Sequence, residues 1–182
     1  GNVPAEAPPI VVAALREGML RLAGREADGA VVNWLSVDDA TTVTAIVRDA
    51  ATAAGRPEPE VAARLFVCPS PDRDAVVAQA KRLIAAYVNV PVYRAFHEWM
   101  GRSDVLGEHW ERWDAGDRAA SLDAMPDTVV DDLLMHGSPD ECRTHIDRYV
   151  AAGITTPVLS IVPLAGVDVD DAIRDLAPGR NR

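Results

Sequence analysis

Apolar runs without polar alternation recur at residues 10–14, 30–35, 64–69 and 157–162. Such runs are the mark of strands covered on both faces, as in a parallel sheet. Between them lie stretches with a single apolar face at helical spacing. Val43, Ile46, Val47, Ala50 and Ala54 mark one such face, and Val76, Val77, Ala80, Leu83, Ile84 and Tyr87 a second. Cys142, Ile146, Tyr149 and Val150 mark a third. Polar punctuation sets the ends. Ser36 predicts a cap, with Asp39 three residues later, and Gly55 and Pro57 stop that helix. Ser70-Pro71-Asp72 predicts a Ser cap, a Pro at the first helical position and an acidic first turn. Ser138-Pro139-Asp140-Glu141 repeats that opening with a full capping box. A last helix, from 170 to about 176, closes the chain.

Strand–helix alternation at this spacing implies βαβ units and a parallel sheet. Residues 92–137 break the rhythm with helical fragments punctuated by Gly101, Gly107, Gly116 and Pro126, and with no convincing strand. The pattern predicts a helical insertion after the third strand, of the kind barrels make at a βα loop. Four βα units are half of an eightfold barrel. A whole barrel needs roughly 250 residues, whereas the chain has 182. An open four-stranded parallel sheet with its ligand at a switch point is the alternative. Either architecture puts chemistry at the C-terminal ends of the strands.

Composition narrows the partners. A formal charge of -10 argues against nucleic acid, which needs a basic face. No apolar run is long enough to cross a bilayer, and "GNVPAEAPP" lacks the charged-then-apolar order of a secretory leader. Cys68 and Cys142, far apart and in no CxxC arrangement, fit reduced thiols, so the expected location is the cytoplasm.

Several motifs dissolve on inspection. "HEWMG" lacks the second His of HExxH, and His97, His109, His136 and His145 share no ligand spacing, so no metal is expected. Asp38-Asp39, Asp131-Asp132 and Asp170-Asp171 fall at helix starts or on exposed faces, where capping accounts for them. "AALREG" is not a GxGxxG fingerprint, and no Ser-His-Asp set is legible. Tyr93, Phe96, Trp99, Trp110 and Trp113 form a stripe that predicts helix packing. Trp99 and Trp110 are the two to watch if the insertion lies over a pocket.

The segment "PIVVAALREGMLRLAGREADGAVVNWLS" resembles the fifth and sixth βα units of the bacterial luciferase-like flavin and deazaflavin oxidoreductases. "MHGSPDECRTHIDRYVAAGITTPVLSIVP" resembles their last helix–strand pair, and the Trp-rich middle is similar to the insertion of the branch that uses coenzyme F420. The resemblance implies an α/β fold, the C-terminal half of a (β/α)8 TIM barrel, with residues 1–182 as one partial domain carrying the helical insertion at 92–137. It implies hydride transfer between F420 and an organic small molecule, with an FMN-dependent monooxygenase as the alternative. A non-catalytic half-barrel that binds flavin or pairs with a partner half is a further reading. The partner is then a second copy in a homo-oligomer or an N-terminal half. The family's acid–base residues lie on that other half, so no catalytic residue is nominated.

Resemblance and physics agree about the first loop. Where the strand ending at Ala14 turns into a helix, free first-turn N–H groups make an anion site strengthened by the helix dipole. In the family this loop holds the cofactor phosphate, which nominates Ala14, Leu15, Arg16, Gly18 and Met19. Many relatives have Gly-Pro where this chain has Arg16-Glu17. Glu17 would repel a phosphate unless it points to solvent, while Arg16 offers a bidentate contact. Asn33 and Trp34 complete the set. The amide suits a ribityl chain, and the indole is expected to form an apolar wall.

Overall fold

The computed structural model describes residues 7–179. Its sheet is parallel throughout and contains β1 (Val11–Ala13), β2 (Gly29–Asn33), β3 (Glu60–Cys68), β4 (Leu134–His136) and β5 (Thr156–Ile161). β3 is the hub. Its residues 60–64 pair with β2 and its residues 62–67 with β5, so these two neighbours occupy opposite edges. β4 pairs with Phe66, Val67 and Cys68, continuing the β2 edge beyond the point where β2 ends.

The main order, β1-β2-β3-β5, follows the chain. Right-handed crossovers that always step the same way place their helices on one face, as in a barrel wall. Among the described residues the main strands show no reversal of order, the three-residue β4 aside, and so offer no switch point of the kind the open-sheet alternative needs. The sheet has five strands among the described residues, where the sequence pattern predicts four. The extra one, β4, lies inside the segment expected to be purely helical. Three residues are too few for a period-two pattern to register. The strand forms because β3 outruns β2 and leaves backbone groups that need partners.

Helices α1 (Glu17–Glu26), α2 (Val37–Ala53), α3 (Arg73–Val88) and α8 (Pro139–Ala151) flank the sheet. Ala30 and Val32 of β2 alternate with Val61, Ala63, Leu65 and Val67 of β3 on the covered face. They form one buried cluster with Leu20, Val43, Val47 and Tyr149. The other face is open around its middle and outer strands, where Arg64 is exposed and Val11 and Val158 are 41% and 48% exposed, while Phe66 and Cys68 at its C-terminal end are buried. The runs therefore have the composition of two-sided burial, and this chain covers the second side only at that end.

The capping boxes at Ser36–Asp39 and Ser138–Glu141 both form, each with the serine hydroxyl accepting and the carboxylate reaching back to the serine N–H. α3 starts two residues later than Ser70-Pro71 predicts. Asp72 caps it, accepting from the Ala75 N–H at 3.1 Å, while the Ser70 hydroxyl accepts from the Asp72 N–H in a local turn.

The insertion comprises α4 (Pro91–Trp99), α5 (Ser103–Asp114), α6 (Arg118–Ala124) and α7 (Asp127–Leu133). Its Leu106, Trp110, Met125 and Val129 pack with the buried face of α3 and with Trp34 and Phe66 in a second core. The last helix, α9 (Val169–Leu176), is capped by Asp168. No helix among the described residues is long and apolar enough to cross a membrane.

Candidate functional site

The sequence leaves one crossover helix uncapped at a position where it matters. α2, α3, α8 and α9 each spend a Ser or Asp side chain on their N-termini, whereas α1 begins at Arg16 with no side-chain cap. The first intrahelical bond runs from the Leu20 N–H to the Arg16 carbonyl at 3.0 Å, so Glu17, Gly18 and Met19 precede it with free N–H groups. These groups open on a cleft of about 790 Å³ at the C-terminal ends of β1 and β2. Its size lies in the range of small-molecule and cofactor sites.

Ala14, Leu15, Arg16, Gly18, Met19 and Asn33 all line this cleft, together with Ala13, Glu17 and Val31. Six of the seven nominated residues are thus brought together. A Cβ built on Gly18 meets nothing within 4 Å, so the approach to the free N–H groups is open. The Glu17 carboxylate accepts two bonds from Arg21, at 2.9 and 2.7 Å, one turn along the helix. That pairing answers the Arg16-Glu17 departure from the family pattern: the acid is occupied, and Arg16 stays exposed at the mouth.

Trp34 is the exception. It is fully buried and absent from the cleft lining. Its backbone takes a left-handed conformation, φ 53°, that costs an L-residue about 1 kcal/mol or more. This turn lays the indole on the Phe66 ring, with centroids 3.8 Å apart and planes 19° off parallel, and near Tyr87 at 4.7 Å. The expected indole wall is therefore core. The aromatic wall of the cleft is made instead by Tyr93 and Trp99, with Val92, all from α4 of the insertion. The stripe pattern marks Trp99 as one to watch and includes Tyr93 only as helix packing, and Val92 carries no signal, because their approach to β2 is a tertiary contact. Trp110, the other Trp of interest, is core and donates to the Val88 carbonyl.

Polar contacts fix the rim. Asn33 Oδ1 accepts from the Trp34 N–H at 3.0 Å, and its Nδ2 donates to the Tyr93 hydroxyl at 3.2 Å. The insertion is tied down again where Arg102 meets Asp39 at 2.8 Å. The histidines are used in packing: His109 sits between Ser121 and Asn89, and His136 bonds Asp131. Among the described residues, no three His, Cys, Asp or Glu side chains converge as metal ligands would.

The donor set fits an anionic group attached to a planar or polyhydroxylated body. Three backbone N–H groups and a guanidinium stand at one end, a tyrosine hydroxyl and an amide at the other, and apolar walls between. This is the form of group that a flavin or deazaflavin phosphate cofactor presents.

Comparison with known proteins gives the family and the fold. The family model of luciferase-like monooxygenases matches residues 2–156. The 5,10-methylenetetrahydromethanopterin reductase of Methanolobus tindarius is 27% identical over 154 residues, covering 81% of this chain and 46% of that protein. The coenzyme F420-dependent tetrahydromethanopterin reductase of Methanopyrus kandleri superposes with a TM-score of 0.72 at 23% identity, over 92% of this chain and 48% of that one. The EDTA monooxygenase of Chelativorans sp. BNC1 has a TM-score of 0.55 at 23% identity, over 97% and 47% of the two chains. The chain spans about half the length of these relatives. It belongs to the luciferase-like monooxygenase family.

Proposed function

We propose that this chain is the cofactor-phosphate side of an F420-dependent oxidoreductase that transfers a hydride to or from an organic small molecule. The observation that carries the reading is the uncapped first turn of α1 opening on the cleft beside Asn33 and Tyr93. Support for F420 comes from the reductase relatives, one of which is F420-dependent by name and has the same fold.

In this reading the N–H groups of Glu17, Gly18 and Met19, with Arg16, hold the phosphate. Asn33 lies beside the cofactor's polar chain, and Trp99 and Met19 give apolar contact. The deazaflavin ring, when bound, supplies the hydride chemistry. The open face of the sheet, with Val11, Arg64 and Val158 exposed, is covered by the other half of a barrel, from an N-terminal segment or a second copy, in the cytoplasm. An FMN-dependent monooxygenase is the second reading, supported by the EDTA monooxygenase likeness and by a phosphate site that suits either cofactor.

Equilibrium titration of the purified chain with F420 and with FMN tests this. Saturable binding, tighter for F420 and lost in Gly18→Glu, is expected. Tighter binding of FMN selects the monooxygenase reading. Binding of neither cofactor, or binding indifferent to Gly18→Glu, overturns the assignment.

A further inference from the structure

The Asn33–Tyr93 pair has a fixed direction. A backbone N–H only donates, so the atom that accepts from Trp34 at 3.0 Å must be the amide oxygen of Asn33. The amide nitrogen therefore faces Tyr93 and donates to its hydroxyl at 3.2 Å. A phenol that accepts one bond keeps its own proton to give. No acceptor among the described residues takes that proton.

Tyr93 lines the cleft from the first turn of α4. Its ring is held edge-on to Tyr87, with centroids 5.7 Å apart and planes at 78°, which limits where the hydroxyl can swing. The strained turn at Trp34 serves the same end, since it delivers the N–H that orients Asn33. At the phosphate end of the cleft the Glu17 carboxylate is paired with Arg21.

We propose that Tyr93 contacts the bound cofactor, its hydroxyl donating to an acceptor oxygen remote from the phosphate, and that Asn33 is the positioning residue that aims this hydroxyl. The proposal rests on the cofactor reading above and adds a second recognition point, independent of the phosphate loop. The cleft thereby selects ligands that carry both an anionic end and an uncharged oxygen acceptor.

The test uses riboflavin 5′-phosphate and riboflavin, titrated by fluorescence against the 182-residue chain and its variants. Tyr93→Phe keeps the ring and removes the donor. It is expected to weaken both ligands by the same factor, about five-fold for one neutral hydrogen bond. Gly18→Glu, in contrast, weakens the phosphate ester and spares riboflavin. Asn33→Asp still accepts from Trp34 but turns its second oxygen toward Tyr93, so the hydroxyl proton is drawn away from the cleft. Riboflavin binding then falls as it does in Tyr93→Phe, and the double variant is no weaker than either single one.

Binding by Tyr93→Phe equal to the unaltered chain overturns the proposal and leaves the cofactor reading intact. Full additivity of the two substitutions overturns the role of Asn33. Failure of the unaltered chain to bind riboflavin 5′-phosphate, riboflavin or F420 removes the cofactor reading, and the contact with it; where F420 alone binds, the Tyr93→Phe and Asn33→Asp comparisons are made with F420.

Discussion

The Arg102 guanidinium lies 2.8 Å from the Asp39 carboxylate, with 10% and 6% of the two side chains exposed. Asp39 also accepts from the Ser36 N–H at 2.8 Å, so one carboxylate both caps α2 and latches the insertion to it. Removing one partner of such a pair strands a buried charge. Arg102→Ala is expected to cost about 3 kcal/mol in urea unfolding. Arg102→Met combined with Asp39→Asn should recover part of that loss, since neither charge is then left alone. Equal stability of Arg102→Ala and the unaltered protein would show that the latch carries no energy.

His97 makes the protein acid-sensitive. It is fully buried, and neither ring nitrogen has a partner among the described residues. Burial, and next the positive charge of Arg102, lower its pKa from 6.5 to about 3. The unfolded chain therefore binds this proton more readily than the folded one. The contribution to stability is full above pH 6.5 and is lost as the pH falls toward 3. The loss from this group is about 2 kcal/mol by pH 5. His97→Met, which removes two unpaired nitrogens at similar volume, should cost little at pH 7 and flatten the stability profile between pH 6.5 and 5. Urea midpoints at a series of pH values measure both.

Two glycines of α1 should respond oppositely. A Cβ on Gly24 would stand 2.2 Å from the Val47 carbonyl oxygen, on backbone that α2 cannot withdraw cheaply. Gly24→Ala is expected to destabilise by about 2 kcal/mol or more, as other overpacking does. Gly18 has open space around it, and Gly18→Ala should leave stability within about 0.5 kcal/mol. Thermal melts of the two variants, side by side, check the contrast.

Binding without turnover is expected of the isolated chain. Among the described residues the one carboxylate lining the cleft is that of Glu17, engaged by Arg21, and no histidine lines it. Mixed with F420 and an organic substrate, the chain should leave the deazaflavin absorbance unchanged over time. A measurable hydride-transfer rate would place the acid–base machinery on this half.

Much of the site was legible because its signals are local. The loop with free first-turn N–H groups follows from an apolar strand, a short turn and a helix start with no Ser, Thr, Asn or Asp to cap it, all within residues 10–19. Helix ends at Ser36, Ser138 and Gly55 were equally plain, since a cap or a positive φ is set within one turn. β4 and the later start of α3 were not legible. The first depends on an unpaired stretch of β3, and the second on a choice between two good caps two residues apart.

The amino-acid sequence by itself determined the strand–helix alternation, the parallel sheet, the capped crossovers and the loop with free amide hydrogens. Each depends on neighbours in the chain, through propensity, periodicity and capping. Only the tertiary structure decided which aromatics face the cleft. Strand alternation alone does not say that Trp34 turns left-handed onto Phe66, nor that Tyr93, sixty positions from Asn33, comes to bond it. Those outcomes depend on how the insertion packs across the strand ends, a balance among distant surfaces that no local pattern encodes.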